Sequence, residues 1–258
     1  MARIAIGTPA KARPAQPPPG VAESLAWFDG PADPIHCHVD WLTGGAQALF
    51  GPATADCAIY VWQGSAHAGE VELPEGSSLV IERGAAQALV AGPHGARLVR
   101  YATNPAHQPA RAGGHVHLLP EPAIPRFAPP PGQKGASGGL HADATCPTCA
   151  VWLHENALPG VEGADARAVA ERGVHAHSED EIIFVTHGAM RLGDRLFGPG
   201  TALAIAADTF YSFTPGPDGV RFINFRPGAP AAFRMKSGGT FDEAGYWRDR
   251  VSSPRYAG

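Results

Sequence analysis

Two histidines and a glutamate stand close together in the second half of the chain: His175-Ala176-His177, then Glu181, then Gly188. Residues i and i+2 of a strand project from the same face. Glu181 follows a turn-like Ser178-Glu179-Asp180 segment, so it can open the next strand and point back toward the two imidazoles. Two imidazoles and one carboxylate form a facial ligand set that leaves coordination positions open. Open positions are what water, dioxygen or a substrate needs at a working metal. Fe(II) suits the set best, and Mn(II), Ni(II) and Zn(II) are compatible with the same ligand types. The pattern His-x-His alone is weak. His36-Cys37-His38 and His115-Val116-His117 lack a carboxylate at the same distance before a turn glycine, and read as strand or surface histidines.

Other groups could do chemistry. Cys146-Pro147-Thr148-Cys149 is a CxxC, but it precedes AVWLH, a strand-like run, whereas redox pairs of this form open a helix. A zinc site there would need two more ligands, for which His141 and His154 are nearest in sequence; structural thiols are the plainer reading. Gly135-Ala136-Ser137-Gly138-Gly139 matches GxSxG without the strand before and helix after that a nucleophile elbow requires, so it reads as a loop. His187 shares strand parity with Glu181, Ile183 and Val185, which makes it a candidate acid or base beside the metal. Arg191, Arg221 and Arg226 could hold an anionic substrate, or be ordinary surface charges.

The elements that must position these groups repeat. CAIYVWQG (57–64) and EIIFVTHG (181–188) lie 124 residues apart, and the same offset relates PEGSSLVIERG to GPGTALAIAAD and GPHGARLVRY to GPDGVRFINF. From 57/181 to 101/225 no gap is needed, and 11 of 45 positions are identical. Each copy is a series of β-branched and aromatic runs closed by turn glycines every 8–12 residues, the pattern of a sandwich or small barrel. The chain therefore reads as all-β, two tandem barrels. A Pro-rich arm spans 1–20, a first barrel 21–110, a second barrel 111–236, and an aromatic tail 237–258. In the tail, Phe241, Tyr246, Trp247 and Tyr256 need a surface to bury against, in this chain or in a second copy forming a homodimer.

HAHSEDEIIFVTHG resembles the first motif of the cupin superfamily: two histidines, a glutamate and a closing glycine. GPGTALAIAADTFYSF resembles the second, whose family form runs glycine, five residues, proline, one residue, glycine, two residues, histidine. The resemblance covers about 57–102 and 150–228, and implies a bicupin of two jelly-roll barrels with one divalent metal inside the second. Its departures are specific. Ala206 stands for the proline, Asp208 for the glycine, and Tyr211 for the third histidine; Val169 stands where a glycine precedes His175. By resemblance the metal ligands are His175, His177 and Glu181, with Tyr211 at the fourth position as phenolate ligand or as hydrogen-bond donor. In the first copy the equivalent positions are Gly51, Ala53, Cys57 and Gln87, so that barrel is expected to be degenerate and metal-free.

Composition bounds the function. The 258 residues hold 44% apolar side chains, enough for a core, and 32 Gly plus 26 Pro, which short strands and turns tolerate better than helices. Net charge is −4, so no basic excess exists to neutralise phosphates and nucleic acid is not expected as a partner. No apolar run approaches a membrane span, and no secretory leader opens the sequence; a cytoplasmic location is expected. The function read from these residues is a metal-dependent cupin enzyme acting on a small oxygenated metabolite, first a dioxygenase. A non-catalytic small-molecule-binding cupin, or a cupin isomerase or lyase, is the alternative.

Overall fold

In the computed structural model, residues 4–106, 111–161, 170–171, 173–230 and 232–257 are described; Val169 lies outside them. A nine-stranded antiparallel sheet forms the first barrel and an eight-stranded one the second, with a small three-stranded sheet at the mouth of the second. The 124-residue offset is physical. Strand Cys57–Ala68 matches Glu181–Leu192, and both carry bulges at equivalent places, Val61/Gln63 with Val185/His187 and Gly64/Ala66 with Gly188/Met190.

The glycines at those bulges are required. Gly64 has φ +77° and a Cβ there would lie 2.1 Å from the Gly95 carbonyl oxygen; Gly188 has φ +66° and the same atom would lie 2.3 Å from that of Gly219. We expect Gly188→Ala to cost about 1–2 kcal/mol from the left-handed backbone alone, with the clash added. A shifted urea midpoint at unchanged slope would measure it.

The arm and the connection exchange edges between barrels. Ile4–Gly7 pairs with Ala202–Ile205 of the second sheet, while Val116–Leu119 pairs with Ser78–Ile81 of the first. Each sheet is thereby extended at one edge by a short strand from outside its own repeat, of four residues in each case, and short edge strands offer little template for aggregation.

Between the barrels lies one large core, built from the outward-facing positions of both sheets. Tyr101 and Phe225, equivalent in the repeat, stack with centroids 5.3 Å apart. Trp62 Nε1 donates to the carbonyl of Thr186, its own repeat partner, at 3.2 Å. A chain whose equivalent residues meet each other is folded about an approximate two-fold axis. Of the tail aromatics, Trp247 is buried on the helix Glu243–Arg248 and packs with Trp152 and Leu140. Phe241 remains largely exposed. No helix among the described residues is long and apolar enough to cross a membrane.

Candidate functional site

Strand alternation fills the second barrel. On Thr214–Arg226, Val220 and Phe222 turn into the interior cluster with Ile183, Val185 and Tyr211, whereas Ile223 and Phe225 turn to the inter-barrel core. Continuing the interior parity brings Asn224 and Arg226 into the barrel, where both meet Glu181. His175–His177 pairs with Phe233–Met235 across the mouth.

The structure brings His175, His177, Glu181 and Tyr211 together. Rings of His175 and His177 lie 5.0 Å apart and those of His175 and Tyr211 4.6 Å. A fifth residue sits among them. The buried Arg226 guanidinium reaches Glu181 Oε2 at 3.2 Å, Glu243 Oε2 at 2.6 Å and His177 Nε2 at 3.3 Å. Glu181 is also fully supplied with donors: Tyr211 Oη–H at 2.6 Å on Oε1 and Asn224 Nδ2 at 2.7 Å on Oε2.

Electrostatics follow. Burial pushes the Glu181 carboxyl up, but Arg226, His177 and the donated hydrogen bonds outweigh it and hold it below the ordinary carboxylate range. Glu243 is lowered for the same reasons, burial being overcome chiefly by Arg226. Burial and the neighbouring Glu181 charge raise Tyr211 well above the ordinary phenol. Tyr211 is thus a neutral donor in this arrangement and not a phenolate. Burial lowers His175, and its Nδ1 faces the Gly173 carbonyl at 2.7 Å, which fixes the tautomer and leaves Nε2 as acceptor.

A divalent cation is what the cupin resemblance places here. The donors do not fit one as they stand. Both Glu181 oxygens accept from three protein groups, and the His177 nitrogen nearest Glu181 faces a guanidinium. A divalent ion roughly 4 Å from that guanidinium would meet a repulsion on the order of 8 kcal/mol at an effective protein dielectric of about 20. The cation at the centre of this barrel is supplied by the chain itself.

His187, read as facing inward, does not do so. The bulge between Val185 and His187 breaks the alternation, leaving the ring half exposed and 3.7 Å from Glu75 Oε1 across the seam. Arg221 is half exposed and pairs with Glu155. Neither His141 nor His154 reaches the CxxC: His141 bonds Ser78 and His154 accepts from Trp152 Nε1. Ser137 lies in the strand Ser137–Asp143, not in a loop. Sequence reasoning missed Glu243 and Asn224. Asn224 carried a signal, a polar residue at inward parity between Phe222 and the buried Arg226; Glu243 carried none, because a tail folding back is not written in a local pattern.

The first barrel is open where the second is filled. A cavity of about 300 Å³ lies at its mouth, lined by Gly51, Ala53, Cys57, Ile81 and Arg100 and roofed by the arm at Gln16–Pro19. Gly51, Ala53 and Cys57 are the positions equivalent to His175, His177 and Glu181, so small residues there create the space. Arg100 is held by Asp40, Nε to Oδ2 at 2.6 Å and Nη2 to Oδ1 at 3.3 Å, and Ser24 donates to the same carboxylate. Burial above all pushes the Cys57 thiol up to about 12, so it stays protonated.

No family model and no curated protein matches the sequence. Solved structures do match in fold. Oxalate decarboxylase of Lactobacillus farciminis, in a formate complex, superposes with TM-score 0.65 at 9% identity, over 90% of this chain and 88% of that one. The protein Ylba of E. coli gives TM-score 0.61 at 16% identity, over 86% and 90%. A Nostoc punctiforme protein provisionally assigned as a dioxygenase gives TM-score 0.61 at 11% identity, over 99% and 88%. At these identities the likeness is one of fold: two antiparallel jelly-roll β-barrels.

Proposed function

We propose that the chain is a small-molecule-binding bicupin that takes a small organic acid at the mouth of its first, degenerate barrel. The cavity there carries this reading. Its volume reaches the lower end of ligand pockets, roughly 300–1,000 Å³. Its walls mix polar and apolar surface almost evenly, and one guanidinium, pre-oriented by a buried carboxylate, lines it. A carboxylate ligand would pair with the cavity-facing edge of Arg100 while its apolar part replaces water against Ile81, Phe50 and the prolines. The protonated Cys57 offers no nucleophile, which favours binding over turnover.

The dioxygenase reading asks a metal to enter among His175, His177 and Glu181, and so asks Arg226 to leave two carboxylates. An acid–base enzyme, of isomerase or lyase type, asks less: His175 is neutral with Nε2 as acceptor, beside Tyr211, whose hydroxyl would have to leave Glu181 to donate elsewhere. That second reading rests on this pair alone.

Titration calorimetry with a series of small aliphatic and aromatic carboxylates and their methyl esters tests the first reading. Acids are expected to bind, esters to bind at least tenfold more weakly, and Ala53→Trp, which fills the cavity, to abolish binding. Equal binding of acids and esters, or binding unaffected by Ala53→Trp, would defeat it.

A further inference from the structure

Four metal-ligating side chains meet far from the second barrel's interior. One ligand atom from each of Glu82, His117, Cys146 and Cys149 lies within 4.8 Å of all the others, the only such group of three or more His, Cys, Asp or Glu among the described residues. His117 Nε2 is 2.7 Å from Glu82 Oε1 and 3.6 Å from Cys146 Sγ; Cys146 Sγ is 3.3 Å from Glu82 Oε1. Tetrahedral coordination at bonds of about 2.0–2.3 Å sets ligand–ligand edges of about 3.3–3.8 Å, so small shifts would admit an ion. The Cys149 amide donates to Cys146 Sγ at 3.3 Å, which turns both sulfurs to one side of the loop.

The surrounding contacts fix each ligand. Glu82, fully buried, accepts from the His115 amide on Oε2 and from Thr148 Oγ1 on Oε1. Asp56 accepts from the amides of Arg83 and Ala150, tying the residue after Glu82 to the residue after Cys149. His117 is 20% exposed and so leaves an entry path. Tyr256 packs on it with ring centroids 4.9 Å apart.

We propose that these four residues bind a zinc ion that clamps the two barrels together. Two thiolates, one imidazole and one carboxylate favour a d-block cation over calcium or magnesium, and four protein ligands close the tetrahedron, as in structural rather than catalytic zinc sites. Glu82 directly follows the strand Ser78–Ile81 of the first sheet and His117 lies on that sheet's added edge strand, while the two cysteines sit in the loop between Ser137–Asp143 and Trp152–Leu158, two paired strands of the second sheet. The ion therefore ties a loop of the second sheet to the edge of the first. Binding releases the thiol protons as the thiolates form, with no redox step.

The test is elemental analysis of the full chain expressed with added zinc, with cobalt(II) reconstitution of the unaltered protein. About one zinc per chain is expected. The cobalt form should show thiolate charge-transfer absorption and the intense d–d bands of a tetrahedral site. The double variant Cys146→Ser/Cys149→Ser should lose both signals, while His177→Ala, in the second barrel, keeps them. Less than about a tenth of an equivalent of zinc, cobalt bands without thiolate character, zinc retained by the double variant or lost in His177→Ala, or a quantitative Cys146–Cys149 disulfide in freshly purified protein would each overturn the site. None of these outcomes bears on carboxylate binding at Arg100.

Discussion

Arg226→Met should destabilise the protein by about 3–5 kcal/mol at neutral pH, because it strands Glu181 and Glu243 as buried, uncompensated charges. Methionine keeps much of the volume, so the loss reports charge and not a cavity. The pH dependence identifies the cause. In the wild type both carboxyls titrate below their unfolded values, so their stabilising contribution is present above about pH 4.5 and fades as pH falls through the folded values. Without the guanidinium, burial dominates and the same carboxyls titrate above about 4.5. The variant therefore gains stability as pH falls from 7 through those raised values. Urea titrations at pH 7 and pH 5 should show the gap between the two proteins narrowing. A gap that stays constant would mean that Arg226 serves packing alone. The same variant tests the built-in cation: with the guanidinium gone, added Mn(II) or Zn(II) should raise the melting temperature of Arg226→Met further than that of the wild type, and His177→Ala in the variant background should remove the extra rise.

Much of this architecture is legible in the sequence, for a physical reason. Apolar phase and turn glycines are local, and the duplicate supplies each barrel with a control, so the gapless offset from 57/181 to 101/225 marks paired strands down to their bulges. The cluster of His175, His177, Glu181 and Tyr211 is legible because it sits on three neighbouring segments. Its electrostatic partners are less so. Arg226 lies on the strand beside Glu181, yet a charged residue near a strand's end reads equally well as a surface residue. Glu243 arrives on a tail helix whose position depends on Trp247 finding Trp152. His187 was misread because a bulge reverses parity, and one inserted residue leaves no mark on composition. The Cys146–Cys149 pair suggested ligands nearby in sequence, whereas the structure supplies Glu82 and His117 from the other barrel.

Phe184→Ala should be as costly as the loss of Arg226, about 3–5 kcal/mol for a buried phenylalanine, and its consequences should reach both barrels. Phe184 is fully buried, on the outer face of its own barrel, with its ring edge-on to Trp62 at 5.0 Å and to Trp27 at 6.3 Å. Both tryptophans belong to the first barrel. Both are also anchored across the seam, Trp27 Nε1 donating to the Gly200 carbonyl and Trp62 Nε1 to that of Thr186. Removing the phenyl ring takes away the surface on which they pack and leaves their hydrogen bonds less shielded. If the barrels were separate folding units joined by a linker, the second would melt early while the first kept its transition. The shared edges argue otherwise, since the arm joins both sheets, Ile4–Gly7 pairing with the second and Arg13–Pro14 with the first. One transition is therefore expected for wild type and variant alike, shifted downward in the variant and coincident by tryptophan fluorescence and far-UV circular dichroism. Two separated transitions in the variant would show that the inter-barrel core is an interface between independent domains and not the shared core of one.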